Sequence, residues 1–360
     1  MNRSKKAVLV PVMMLVAVAA TVKADPPYTV LAGGLANPRG LTFAPGGRLY
    51  VAQAGHGGYT GKISEIQDPA SQNPSVRDVV TGLLSIPGEN PGEFVGVDGI
   101  AAFGNGNMAG IIGESELGGE PAPAGHLLQF NTSGQWRDLA NVGNFNYAWS
   151  EAHQYLAPND FNPGDSNPYG VLAVPGGVYV ADAGTNTLNF VKANGDISIL
   201  AYFPNNAIAD ATPTCIAQGP DNALYVGTLA LVDSIVTQKP RATVYRVDPT
   251  QANPDDLNTI LTLAQPWATG LWPITGCAFG PDGRFYASQF FTRFQPGPGG
   301  PPFHDGDVVK IDFASGTRTS LTGRTLDMPG GVAVGPDGAV YVTNHTAFLP
   351  TGEVLRLTNR

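Results

Sequence analysis

The sequence predicts an all-β chain: a six-bladed β-propeller of four-stranded blades, closed by its N-terminal strand, with a short cap helix on one face. Three observations predict it. Residues 329–344 are two short Val-rich runs joined by Gly335-Pro336-Asp337-Gly338. Pro presets φ for a turn, Asp and Gly suit the positions after it, and the runs have strand length, so the stretch is a β-hairpin. That hairpin recurs, with copies starting at Gly40, Gly99, Gly170, Cys215, Gly276 and Gly331, at intervals of 59, 71, 45, 61 and 55 residues. Repetition at about this period, four strands per unit, is the sign of propeller blades. Finally, a third strand at 352–358 ends the last copy while a spare strand at 28–32 precedes the first. Joining the two completes the last blade and removes an open sheet edge.

The chain opens with a segment to be set aside. Arg3, Lys5 and Lys6 precede an apolar run over 7–20, and Val22-Lys23-Ala24 offers small residues to a signal peptidase. The run is short for a membrane span, and no later stretch reaches 18 apolar residues. The expectation is cleavage after Ala24 and a secreted or periplasmic protein, 25–360 forming one propeller domain; an uncleaved anchor is the alternative. Removing 1–24 takes four basic and no acidic residues, moving the formal net charge from −9 to −13. An acidic chain without a basic cluster argues against nucleic acid as a partner. A monomer is expected.

Within each copy the first run is strand a and the Leu-Tyr-Val run is strand b. Blade one continues with strands at 61–66 and 76–81, and blade two at 125–130 and 136–142. The cap insertion, about 143–168, follows. Within it 146–157 reads as helix, with Trp149, Ala152 and Leu156 at helical spacing and Pro158 as terminator; no other stretch after the leader reads convincingly as helix. Blade three is compact, its outer hairpin turning at Asn194-Gly195. Blades four, five and six carry b–c loops at 229–241, 297–302 and 345–351.

Propeller topology puts a–b and c–d turns on one side, and b–c loops and d–a connections on the other. The long segments and all five histidines, His56, His126, His153, His304 and His345, fall on the b–c side, which marks it as the functional face. Each strand b ends in a polar residue: Gln53, Glu114, Asp182, Thr228, Gln289 and Asn344. Arg39, Asp98, Tyr169 and Thr214 lie just before strand a on the same side. We take Arg39, Gln53, Asp98, Glu114, Tyr169, Asp182, Thr228, Gln289 and Asn344 as candidate ligand-binding residues at the channel mouth. Asp98, Glu114, Asp182 and Asn344 could offer oxygens to a hard cation such as Ca²⁺, although no Asp-x-Asp-x-Asp loop supports one. The plainer reading is that these residues cap strands and bind water where the sheet ends.

Catalytic signatures are absent: no Gly-x-Ser-x-Gly, His-Glu-x-x-His or phosphate-binding loop. Glu151 and His153, with Asp160 and Asp165, suit acid–base work by type, but residues two apart on a helix do not face each other. The repeated Tyr50, Tyr179, Tyr225, Tyr286 and Tyr341 read as packing between blades. Cys215 and Cys277 sit one register apart in consecutive copies. Export permits a bridge and strand alternation works against one, so a disulfide and two buried thiols both stay open.

Residues 35–45, Asp165-Ser166-Asn167-Pro168-Tyr169-Gly170-Val171, 179–188 and 195–204, with the closing hairpin, together resemble the ScyD/ScyE family. The segment around Asn167 is the most specific part. More loosely, the repeats are similar to NHL repeats and to gluconolactonase/SMP-30-like propellers. The first resemblance implies an exported propeller that binds a small molecule, glycan or protein on its b–c face, with no catalytic residues to carry over. The second implies a Ca²⁺-assisted hydrolase or lactonase. The longer cap and the weak second copy depart from the family pattern.

Overall fold

The computed structural model describes residues 26–358 apart from 72, 89, 158–163, 206–207 and 297–301. The leader 1–24, Asp160, part of the cap insertion and most of the blade-five loop therefore lie outside the described residues. Six antiparallel four-stranded sheets form a propeller. Their inner strands are Pro38–Ala44, Val97–Ala102, Pro168–Val174, Pro213–Gln218, Ile274–Phe279 and Val332–Val334. The last blade is completed by the N-terminal strand Tyr28–Leu35, which pairs antiparallel with Gly352–Leu357, Tyr28 opposite Leu357. Blade one gains a fifth short strand, Phe94–Val95.

Strand b explains why the repeat is legible. It is packed on both faces by neighbouring blades, so its apolar residues run on without polar alternation; Leu49–Gln53 and every residue of Leu224–Thr228, Phe285–Gln289 and Val340–Asn344 are buried. Outer strands meet solvent, as the exposed Arg318–Ser320 shows. Six core clusters accordingly lie one at each blade–blade interface. The blade 4–5 cluster is the most aromatic, with Tyr225 edge-on to Trp267, Phe279 and Phe313.

Around the axis, Gly40, Gly99, Gly170, Gly276 and Gly331 occupy one register. A Cβ at any of them would lie within 3.0 Å of backbone in the next blade: Asp98, Tyr169, Thr214, Gly330 and Arg39 respectively. These glycines are required by that close approach. Blade four has Cys215 at this register instead, and it forms a disulfide with Cys277 of blade five, Cα–Cα 5.7 Å. One bridge thus stands where the other interfaces have a glycine contact.

The cap helix is Val142–Ala152, followed by a 3-10 turn at Gln154–Leu156. It starts four residues before the expected 146, because Asn141 caps it by accepting from Asn144 N at 2.8 Å. Two helices were not expected, Leu231–Thr237 and Leu257–Thr262. Both are shorter than a helix that would persist alone. Leu231 and Ile235 pack onto the Phe290–Phe291–Phe303 cluster of the b–c side, and Ile260 packs with Ile199 and Tyr202. Among the described residues no helix is long and apolar enough to cross a membrane.

Candidate functional site

The residues that end strand b do one architectural job. Gln53 Oε1 accepts the Ala36 amide at 2.8 Å, Gln289 Oε1 the Trp272 amide at 2.9 Å, and Asn344 Oδ1 the Asp327 amide at 3.0 Å. In each pair the partners are 17 residues apart, so each side chain ties its blade's d–a connection to strand b. Thr228 instead bonds both backbone groups of Thr243. Asp182 is fully buried and takes five donors: the Asn167, Gly184 and Thr185 amides on Oδ1, and Asn146 Nδ2 and Ser166 Oγ on Oδ2. All five therefore accept backbone amides, and Asp182 is in addition the peg to which the cap helix and the 165–167 turn are fastened.

Glu114 does not end strand b as expected: in blade two that strand ends at Ile112, opposite Val97 as Gln53 is opposite Pro38, and Glu114 lies two residues beyond it. Its backbone is left-handed, φ 65°, where a side chain other than Asn or Asp is uncommon. Gly125 and Gly143 are packed against its carbonyl, closer than a Cβ at either would allow. Its amide donates to Asn167 Oδ1 at 3.2 Å, but its carboxyl accepts no hydrogen bond among the described residues. Burial, and then the charges of Asp165, Glu120, Asp98 and Asp182, push that carboxyl up to about 8.

Asp98, Arg39 and Tyr169 meet beside it, one from each of the first three blades. Arg39 Nε lies 3.4 Å from Asp98 Oδ1, and its Nη2 donates to the Phe94 carbonyl at 2.6 Å. The Tyr169 hydroxyl lies close enough to the guanidinium to interact with its charge. Burial raises Asp98 to about 7, overriding the opposite pull of Arg39 and the Gly96 amide. Burial likewise raises the Tyr169 phenol.

Asp98, Tyr169, Thr214 and Thr275 line a cavity of about 60 Å³ at the b–c end of the channel. Leu41, Ile100, Val171, Ile216, Cys277 and Val332 form its inner boundary and also line a larger cavity, about 340 Å³, open toward the other face. The channel thus has a polar upper chamber and an apolar waist.

Asp98, Glu114, Asp182 and Asn344 are not brought together as a cation site. Among the described residues no group of three or more His, Cys, Asp or Glu side chains is placed to hold a metal ion. Both Asp182 oxygens are already occupied, and Asn344 is held in blade six between the Asp327 amide and Glu353. Glu151 and His153 do not pair: His153 Nδ1 donates to the Trp149 carbonyl and its ring stacks on Trp149, while Glu151 accepts from Gln154. Sequence reasoning missed Asn146 and Ser166 as partners of Asp182. The density of Asp, Ser and Asn in 165–167, also the most specific part of the family resemblance, was the available signal.

No family model matches the chain, and no curated protein matches it. Among solved structures it is similar to a putative oxidoreductase (glucose dehydrogenase) of Thermus thermophilus, 15% identical with TM-score 0.54, covering 92% of this chain and 99% of that one. It is also similar to a protein of unknown function from Bacteroides thetaiotaomicron, 10% identical with TM-score 0.56, covering 91% and 72%. A luciferin-regenerating enzyme is 14% identical with TM-score 0.50, covering 92% and 95%. At such identities the likeness shows the fold alone.

Proposed function

We propose that this is an exported propeller of the ScyD/ScyE kind, which binds a ligand or partner on its b–c face with recognition centred on Glu114. Glu114 carries the proposal. It sits in a left-handed backbone conformation, half-buried among carboxylates, with no donor on its carboxyl among the described residues. Each of those conditions destabilises the fold, and rules of this kind are broken where function requires it. The surrounding face also suits docking. Tyr59, Leu117, Tyr155 and Val236 are 64%, 55%, 64% and 62% exposed, and all belong to the b–c side.

A second reading, a hydrolase or lactonase, rests on Asp98 and Glu114 being carboxyls poised near neutrality. One pair of measurements tests both. Wild type and Glu114→Gln are screened by thermal shift against soluble glycans, amines, lactones and peptides, and by hydrolysis of a lactone panel with and without Ca²⁺. The binding reading expects ligands that stabilise wild type and lose their effect in E114Q, without turnover. Turnover abolished by E114Q replaces it with the hydrolase. Ligands indifferent to E114Q remove Glu114 from the site.

A further inference from the structure

We infer that the blade 2–3 interface holds a second binding site, on the face opposite Glu114, for a small aromatic carboxylate. A cavity of about 400 Å³, the size of a small-molecule pocket, lies there between the a–b turns of the two blades. The repeat explains why it exists. Two residues after the ring-glycine register, strand a pairs with a strand-b tyrosine in five blades: Tyr50, Tyr179, Tyr225, Tyr286 and Tyr341. In blade two that residue is Ala109, opposite Ala101. Blade three lacks rings at the same interface. Where blades four and five meet, Phe279, Phe285 and Phe313 surround Tyr225. By strand register their counterparts in blade three are Ala173, Val178 and Ala193, and all three line the cavity. The space that four rings fill at one interface is open at the other.

Charge selects the ligand. In blades four, five and six the turn aspartate joins an arginine to the strand-b tyrosine. Asp221 Oδ2 accepts the Tyr225 hydroxyl at 3.2 Å and Arg246 Nε at 2.8 Å. Asp282 Oδ2 accepts the Tyr286 hydroxyl at 2.9 Å and Arg284 Nη1 at 3.0 Å. Asp337 Oδ2 accepts Arg356 Nη2 at 3.1 Å, and Arg356 Nε donates to the Tyr341 hydroxyl at 3.2 Å. In blade two the turn residue at this register is the neutral Asn105, whose Oδ1 accepts the Asn107 amide. Arg137 lines the same cavity, its Nε donating to Gln129 Oε1 at 2.9 Å. Its two Nη groups have no hydrogen bond or ion pair among the described residues. Blade two thus keeps a cation but lacks both the ring and the carboxylate. A ligand carrying those two groups completes the set, its ring against Ala173, Val178 and Leu139 and its two oxygens on the guanidinium. A cationic ligand is disfavoured, because no Asp or Glu among the described residues lines the cavity.

The test is calorimetric titration of the full mature chain with 2-naphthoate. The alcohol 2-naphthalenemethanol, 2-naphthylmethylammonium and acetate serve as neutral, cationic and ring-free comparators. The expected result is saturable binding of naphthoate, at least fivefold tighter than the alcohol, and no binding of the ammonium or of acetate. Arg137→Gln should weaken naphthoate at least fivefold and leave the alcohol unchanged. Ala173→Phe, which restores the ring of blade five, should abolish binding of both. Ala193→Phe, at an exposed position, should do the same even if A173F fails to fold. Lys239→Gln, which removes an exposed cation from the other face, should change nothing. Absence of saturation, equal affinity for the alcohol or the ammonium, indifference to R137Q, or undiminished binding in a folded A173F or A193F overturns the site. Because Glu114 lies on the opposite face, any of these failures leaves the proposed b–c recognition untouched.

Discussion

At the scale of single residues, the repeat shows what each position is for by where it fails. The turn aspartates Asp221 and Asp282 accept the hydroxyls of Tyr225 and Tyr286, at 3.2 and 2.9 Å. In blade one the turn is Pro45-Gly46-Gly47, and the buried Tyr50 hydroxyl has no partner. Tyr286→Phe should therefore lose about 1 kcal/mol in urea denaturation, while Tyr50→Phe should be neutral or stabilising. Glu114 is the other exception. Its folded pKa lies above its unfolded value, so the folded state holds the proton more tightly, and stability falls as pH rises from about 4.5 to about 8. E114Q should match wild type at pH 5 and melt at a higher temperature at pH 9. Glu114→Gly, which also relieves the left-handed φ, should add about 1 kcal/mol at either pH. Destabilisation by either variant at pH 9 would mean that the carboxyl has a structural partner.

Among elements, the cap helix is the one whose placement matters to the site. Its expected range came from apolar spacing, but its attachment is polar. Asn146, fully buried, donates to Asp182 at 2.7 Å and forms a reciprocal amide pair with Asn189. Trp149 and Leu156 add an apolar contact with Ile199 and Tyr202. Asn146→Ala leaves Asp182 and Asn189 short of partners and should destabilise by about 2–3 kcal/mol. Loss of under about 0.5 kcal/mol in chemical denaturation would show the helix is held by its apolar contacts alone. The two helices the sequence did not announce follow the same logic. Their seven and six residues carry too little periodicity to read, and their packing partners come from other blades.

For the whole molecule, closure is the dominant physical fact. The N-terminal strand ties first to last blade, and the ring glycines bring inner strands together at five interfaces. At the sixth, the disulfide encloses a loop of sequence separation 62, for which loop-closure entropy gives up to about 4 kcal/mol. Reduction should lower the denaturation midpoint. A Cys215→Gly/Cys277→Val double variant, which restores the glycine and aliphatic pair used by other blades, should fold and show a similar loss. If reduction leaves the midpoint unchanged, the bridge adds nothing to the packed ring.

The repeat, the blade count and the terminal closure were determined by the sequence alone, because hairpin turns, two-sided burial of strand b and a spare strand each leave a local pattern. Even the bridged interface left a trace, in Cys215 standing where five copies have glycine. What only the tertiary structure decided is the division of the polar rim. Gln53, Asp182, Gln289 and Asn344 occupy equivalent positions at the end of strand b, and all four are spent on backbone amides 15 or 17 residues away. Glu114, two residues beyond the equivalent Ile112 of blade two, accepts no hydrogen bond on its carboxyl among the described residues and lies near four other carboxylates. Position along a strand is a local property. Whether a side chain there finds a partner depends on chain brought in from the cap and the neighbouring blades, and that is where the candidate site was made.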